Sequence, residues 1–195
     1  MNSFENIKEI IIASNNKGKI KMVQEILSDY KIVPMSEKGI DVDVVEDANT
    51  FEGNAIKKAE TIANMLENAV CLADDSGIEV EYLNGFPGVE TKRWFDGTDR
   101  ERNLALINKL DGVEKNNRKV KFKVAMAIST GKETITAESW IDGYITESPR
   151  GENGFGFDEI FELKNGKTLA ELTVEEKNEI GVRKEVLEIL KMKLS

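Results

Sequence analysis

The chain has 195 residues, 40% hydrophobic and 32% charged, with a formal net charge of −9. These proportions describe a globular chain with enough apolar material for a core, and the acidic balance argues against a nucleic-acid polymer as partner, since that needs an extended basic surface. There is no histidine, which excludes His-based triads and His metal sites and leaves acid–base chemistry to carboxylates, lysines and water.

No stretch approaches the roughly 20 apolar residues of a membrane span. Met1 to Glu9 is polar and acidic, without a signal-peptide pattern. Cys71 is the single cysteine, so no internal disulfide can form, and a reducing, cytoplasmic setting is expected. With three prolines and no Ser/Gly/Pro-rich linker, residues 1–195 are expected to form a single domain.

In chain order, Glu9 to Ala13 is a short apolar run that predicts a buried strand. The polar turn Ser14-Asn15-Asn16-Lys17-Gly18-Lys19 leads to a helix ending near Ser28, with Ile20, Val23, Ile26 and Leu27 on one face. Lys31 to Met35 reads as a second strand. The acidic loop Asp41 to Asp47 precedes a helix over Thr50 to Asn68. Ala69 to Asp74 predicts a strand that ends in Asp74-Asp75-Ser76-Gly77, and Ile78 to Tyr82 a further one. Arg100 to Leu110 reads as helix. The alternation of Val120, Phe122, Val124, Met126 and Ile128 marks a half-buried strand, returned by Thr134 to Ile145 after a turn at Gly131-Lys132. A glycine-rich loop spans Gly151 to Gly156. Thr173 to Glu176 is a capping-box signature, and a last amphipathic helix runs over Val182 to Lys193. The alternation of strands and helices followed by a long hairpin predicts an α/β fold with a mixed sheet and flanking helices.

Five segments carry candidate chemistry. Ser14 to Lys19 lies between a strand and a helix N-terminus, which favours anions. Lys17, Lys19 and Lys21 crowd that first turn against the dipole, and either a bound phosphate or simple solvation accounts for them. The segment is not a Walker A loop. Lys58 falls within the apolar stripe of Phe51, Ala55, Ala59, Ile62 and Leu66, so it either snorkels or reaches into a cleft. Asp74-Asp75-Ser76-Gly77 reads as a Mg²⁺ site at a strand end, with Glu46-Asp47 as a second acidic pair, or as an Asx-type turn. Gly154-Phe155-Gly156-Phe157-Asp158 offers a ring for base stacking and an acceptor for a base N–H, or is an ordinary turn with core phenylalanines. Lys177 and Arg183 are further cations, for a ligand or for solvent. Together these elements fit a nucleotide polyphosphate.

The ordered motifs resemble the inosine triphosphate pyrophosphatase family, the XTP/dITP diphosphatases. That family's T/S-x-N-x-x-K is met by Ser14, Asn16 and Lys19. Its T-F-x-x-N-A…K is met by Thr50, Phe51, Asn54, Ala55 and Lys58. A-D-D-S-G is Ala73 to Gly77, followed by G-x-P-G at Gly85 to Gly88. F-G-[YWF]-D is Phe155 to Asp158, and A-E-L-[ST]-x-E-E-K is Ala170 to Lys177.

The resemblance implies an elongated mixed sheet with flanking helices, two lobes around a nucleotide-binding cleft, and a homodimer. It implies hydrolysis of ITP, dITP or XTP to monophosphate and pyrophosphate with Mg²⁺. Asp75 would be the catalytic and metal-holding acid, with Glu46 as its partner. Ser14, Asn15, Asn16, Lys17, Gly18, Lys19, Lys58 and Ser76 would hold the triphosphate. Phe155, Gly156, Phe157, Asp158, Lys177, Val182 and Arg183 would handle base and sugar. Two positions depart from the family pattern. Its Ser-His-Arg is Gly181-Val182-Arg183 here, which puts purine discrimination in question. Its D-P-I-F is Asp158-Glu159-Ile160-Phe161, and the missing proline predicts a looser loop.

Overall fold

The computed structural model describes residues 4–195, the side chain of residue 178 apart. The first three residues of the polar Met1 to Glu9 stretch therefore lie outside the described residues. The elements are β1 (Glu9–Ile12), α1 (Lys17–Ile26), β2 (Lys31–Pro34), α2 (Phe51–Ala63), β3 (Cys71–Val80), α3 (Asp99–Lys109), β4 (Lys119–Ser129), β5 (Thr134–Ile145), β6 (Phe161–Glu162), α4 (Val174–Ile180) and α5 (Val182–Leu194). The strands form one six-stranded sheet in the order β2-β1-β3-β4-β5-β6. β1 runs parallel to β2 and β3, whereas β5 and β6 are antiparallel. The fold is α/β with a mixed sheet.

The chain divides into two compact units. The first takes the residues up to Ser76, Val124–Ser139 and Val182–Ser195; the second takes Gly77–Lys123 and Trp140–Gly181.

In the first unit, Ile10, Ile11 and Ile12 are all buried, as expected for a parallel strand covered on both faces. Thr50 caps α2 by accepting the Gly53 N–H at 2.9 Å. The small residues Ala55 and Ala59 of α2 pack on Ala73 and Ala127; with only methyl groups between them, helix and sheet approach closely. α5 buries Val182, Val186, Leu187, Leu190 and Leu194, the apolar face of the amphipathic helix expected there. Lys191 Nζ donates to the Ile26 carbonyl at 3.0 Å, at the C-terminal end of α1.

In the second unit, Ile78, Val80, Leu106, Leu110, Val120, Ile145, Ile160 and Phe161 form one core cluster. α3 opens with a complete capping box between Thr98 and Glu101. Arg118 is buried, and its guanidinium donates to the carbonyls of Ile145, Leu110 and Thr146 at 2.7–2.8 Å. Burial lowers its pKa, and the three carbonyls replace the water it has lost.

Two expectations are corrected. Asp74-Asp75-Ser76-Gly77 does not end a strand: β3 is continuous from Cys71 to Val80 and carries the acids in its interior. The strands predicted over Ala69 to Asp74 and over Ile78 to Tyr82 merge into this one element, which starts at Cys71 and gives way to a 3-10 turn at Glu81–Leu83. The second helix stops at Ala63 rather than Asn68. Met65 and Leu66 beyond it are exposed, and Asn68 adopts a positive φ of 55°, so the apolar spacing that extended the helix had no face to pack on.

Candidate active site

Side chains alternate across a strand, so Asp74 and Asp75 leave β3 on opposite faces of the sheet. This gives the acid pair of the first unit two different settings.

On one face, the turn after β1 sets Asn16 as the N-cap of α1. Its Oδ1 accepts the Lys19 N–H at 3.1 Å, and its own N–H donates to Ser14 Oγ at 3.1 Å. Lys19 then reaches back to the sheet, and its Nζ donates to both carboxylate oxygens of Asp74, at 2.8 and 2.7 Å. At the start of α5, Arg183 donates from Nη2 to Ser76 Oγ at 2.9 Å, and its Nε lies 4.0 Å from Asp74 Oδ2. Burial pushes the Asp74 carboxyl upward, but Lys19, then Arg183 and Lys58, outweigh it and hold the pKa below the usual range. Asn15, Asn16, Lys17 and Gly18 are exposed, and Lys21 pairs with Glu25. Of the three lysines in the turn, Lys19 alone joins the acid.

On the other face, Asp75 is buried. Its Oδ2 accepts from Asn54 Nδ2 at 2.9 Å, and its Oδ1 from the Ser76 N–H at 2.9 Å. Asn54 is wholly buried, and its Oδ1 accepts the Ala48 N–H at 3.0 Å. One amide thus ties the acidic loop to the catalytic-acid candidate. Lys58 donates to the Asp74 carbonyl at 2.8 Å and pairs with Glu46, so this lysine in the apolar stripe turns to the acids. Lys57 pairs with Asp47 on the outer side. Burial, above all, raises the Asp75 pKa; the Glu46 charge adds to it, while Asn54 and Lys58 act in the opposite sense.

Among the described residues, no group of three or more His, Cys, Asp or Glu side chains gathers as a metal cage. The donors are instead a pair, Glu46 and Asp75, whose charges interact unfavourably. Such a pair suits a hard divalent cation that also takes substrate phosphate oxygens, and the cation would relieve the repulsion.

The second unit holds the Phe155–Asp158 loop and Lys177. Asp158 Oδ2 accepts from Lys177 Nζ at 2.7 Å and from the Phe155 N–H at 3.3 Å. Lys177 also donates to the Asn153 carbonyl at 3.2 Å. Gly154 has φ 98°, and a Cβ there would stand 2.0 Å from Asp158 Oδ2 and 2.3 Å from Lys177 Nζ; only glycine permits this pair. The Phe155 ring is 81% exposed, whereas Phe157 packs against the core cluster. Of the two aromatics, only Phe155 is presented outward. The expected loosening after Asp158 meets a specific tether: Glu159 accepts from Asn103 Nδ2 at 2.8 Å and from Arg100 at 3.0 Å. Val182 is 5% exposed, a core residue at the start of α5.

The sequence reading therefore passed over Asn54 as a site residue, the separate role of Asp74, and Asn103. Asn54 had a visible signal, because it stands inside a quoted motif one turn before Lys58. Asn103 had none, since its partners lie more than 50 residues away.

The fold is a mixed α/β sheet whose first unit sets a cation-bearing β–α turn beside the paired acids of β3, and whose second unit carries a glycine-rich aromatic loop. The chain belongs to the Ham1 family, whose model matches residues 10–193. It is 43% identical over 190 residues to the dITP/XTP pyrophosphatase of Bacillus subtilis, covering 94% of this chain and 96% of that protein. It is 42% identical over 196 residues to the dITP/XTP pyrophosphatase of Clostridium perfringens, with 95% and 96% covered. The solved structure of the Staphylococcus aureus Ham1 protein superposes with a TM-score of 0.88 at 39% identity, covering 96% of this chain and 98% of that one.

Proposed function

We propose that this protein is a hydrolase of deaminated purine nucleoside triphosphates (dITP, XTP and ITP), releasing the nucleoside monophosphate and pyrophosphate and so clearing the nucleotide pool. The observation that carries this reading is the two-sided acid pair of β3: Asp74 aligns Lys19 and Arg183 on one face, and Asp75 stands with Asn54, Glu46 and Lys58 on the other. The dITP/XTP pyrophosphatases matched along nearly the whole chain support the substrate class.

Enzymes of this family generally require a divalent metal, and Mg²⁺ is the cation proposed here. When bound by Glu46 and Asp75, it supplies charge neutralisation of the polyphosphate and a more acidic water. Asp75 accepts the proton of the attacking water, and its buried setting raises its basicity for that task. Ser14, Asn15, Asn16, Lys17, Gly18, Lys19, Lys58 and Ser76 hold the triphosphate, with the lysines stabilising charge on the departing pyrophosphate. Phe155, Gly156, Asp158, Lys177 and Arg183 are assigned to base and sugar; Phe157 and Val182, packed into the cores of their own units, shape that part of the site indirectly. A site built around a 6-oxo acceptor leaves groups unpaired against a 6-amino base. A single-domain organisation, a homodimer and a cytoplasmic location belong to the same proposal.

The test is product analysis with purified protein, Mg²⁺ and a panel of ITP, XTP, dITP, GTP and ATP. Monophosphate plus pyrophosphate, formed fastest from ITP, dITP or XTP, is expected. Stepwise release of single phosphate, or equal kcat/KM for ITP and ATP, would refute it. Asp75→Asn is expected to abolish turnover while the far-UV spectrum and melting cooperativity are kept; turnover near wild type would remove Asp75 from its role.

A further inference from the structure

α3 holds the aromatic loop through two of its side chains, separately from Lys177. Asp99 Oδ2 accepts the Gly156 N–H at 2.9 Å. One turn further along, Asn103 Nδ2 donates to the Gly156 carbonyl at 2.8 Å and to Glu159 Oε1 at 2.8 Å. The N–H and C=O of one residue are therefore both gripped by a single helix. The chemistry fixes the Asn103 orientation, because a carbonyl and a carboxylate can be approached only by the amide nitrogen. Asn103 is 1% exposed, so these bonds sit largely out of solvent and weigh more than surface ones.

The grip matters because of what Gly156 joins. Before it stands the exposed Phe155 ring, after it the core-packed Phe157, then the Asp158 carboxylate held by Lys177. Gly156 has φ 63° and nothing within 4 Å of a would-be Cβ. No side chain packs on Gly156 from outside, and the α3 bonds are the contacts that hold its N–H and carbonyl. Glu159 occupies the position where the resembled family has proline. A proline would stiffen the loop through its ring, whereas here a side chain does so through α3.

We infer that Asn103 and Glu159 are positioning residues that set base selectivity by fixing the Phe155–Asp158 loop on α3. The inference rests on the proposed pyrophosphatase reading, in which that loop meets the base. Neither residue is assigned to the phosphates or to the attacking water in the proposed reading; Asn103 acts on the Gly156 backbone, and Glu159 acts through Asn103. Glu159→Ala removes the acceptor without adding the stiffness of proline. Glu159→Gln keeps an acceptor for Asn103 but discards the charge facing Arg100.

The experiment measures kcat/KM for dITP, dGTP and dATP with Mg²⁺, following pyrophosphate, in the wild type, Asn103→Ala, Glu159→Ala and Glu159→Gln, with a thermal melt of each. In both alanine variants the dITP-to-dGTP ratio is expected to fall by about five- to tenfold, the weight of one or two hydrogen bonds, chiefly through KM for dITP. Pyrophosphate remains the product, and Glu159→Gln keeps the wild-type ratio. Rates that fall equally on all three bases, in step with melting temperature, would reduce the clamp to a structural role and overturn the inference. A Glu159→Gln ratio as low as that of Glu159→Ala would assign the loop to the Arg100 ion pair and overturn the part given to Asn103. Should Asn103→Ala fail to fold, the two Glu159 variants decide the matter. A wild type that releases no pyrophosphate would instead overturn the proposed function itself.

Discussion

Replacing Asn54 by alanine tests whether one buried amide holds the acid site together. Asn54 is wholly buried and makes two bonds, to the Ala48 N–H and to Asp75 Oδ2. A hydrogen bond to a charged group contributes about 1.5–3 kcal/mol and one between neutral groups about 1 kcal/mol. Alanine also leaves a small void and strands a buried carboxylate oxygen, so the expected loss is about 3–4 kcal/mol. For a chain of this size that is a fall in Tm of about 10 °C. Urea unfolding at pH 7 gives the free energy, and scanning fluorimetry gives the Tm. Asn54→Asp serves as the companion variant: it keeps an oxygen for Ala48 but sets a carboxylate against Asp75, so its deficit grows as pH rises and both acids ionise. An Asn54→Ala loss below about 1 kcal/mol, the range of an ordinary surface change, would refute the bridge.

Asp74→Asn is expected to cost about 1–3 kcal/mol at pH 7, because Lys19 and Arg183 lose their shared partner while keeping part of their solvation. The sign with pH follows from a lowered pKa: the contribution is present above the ordinary aspartate range and is lost as pH falls through the folded-state value. Wild type and variant should therefore converge in stability toward strongly acidic pH; a constant gap in urea titrations down to pH 2 would count against the pairing. Burial pushes the Cys71 thiol up to about 12, so the native protein should not react with a thiol reagent at pH 8 within minutes and should react fully in denaturant. Rapid native labelling would contradict the buried setting.

How much of this could be read from the sequence varied with how local the cause was. β5 occupies Thr134 to Ile145, the strand expected to return after the Gly131-Lys132 turn, and Thr173 caps α4 through the box seen in the sequence. The acids within β3 read from the sequence as a strand end, with an Asx-type turn as the alternative, and aspartate is depleted in strands. There, the continuous strand carries the acids against propensity, and Lys19 and Asn54 satisfy the carboxylates from either side. Leu66 counted toward an apolar helical stripe yet lies exposed, because periodicity does not say where the packing surface ends. The site contacts were least accessible: Arg183 meets Ser76 across 107 positions, a distance no spacing rule covers. The resemblance placed those residues in one site without saying which touches which.

The back-to-back placement of Asp74 and Asp75 also constrains how this gene can change. A one-residue insertion or deletion in β3 ahead of the pair would exchange their faces. The carboxylate built for two cations would meet Asn54 and Glu46, and the other would be offered to Lys19 and Arg183. Substitutions can be absorbed one side at a time, but a shift in length cannot. The segment from Cys71 to Ser76 should therefore tolerate no change in length, and Lys19 of α1 and Arg183 of α5, whose helices begin more than 160 positions apart, should change only in step at the carboxylate they share.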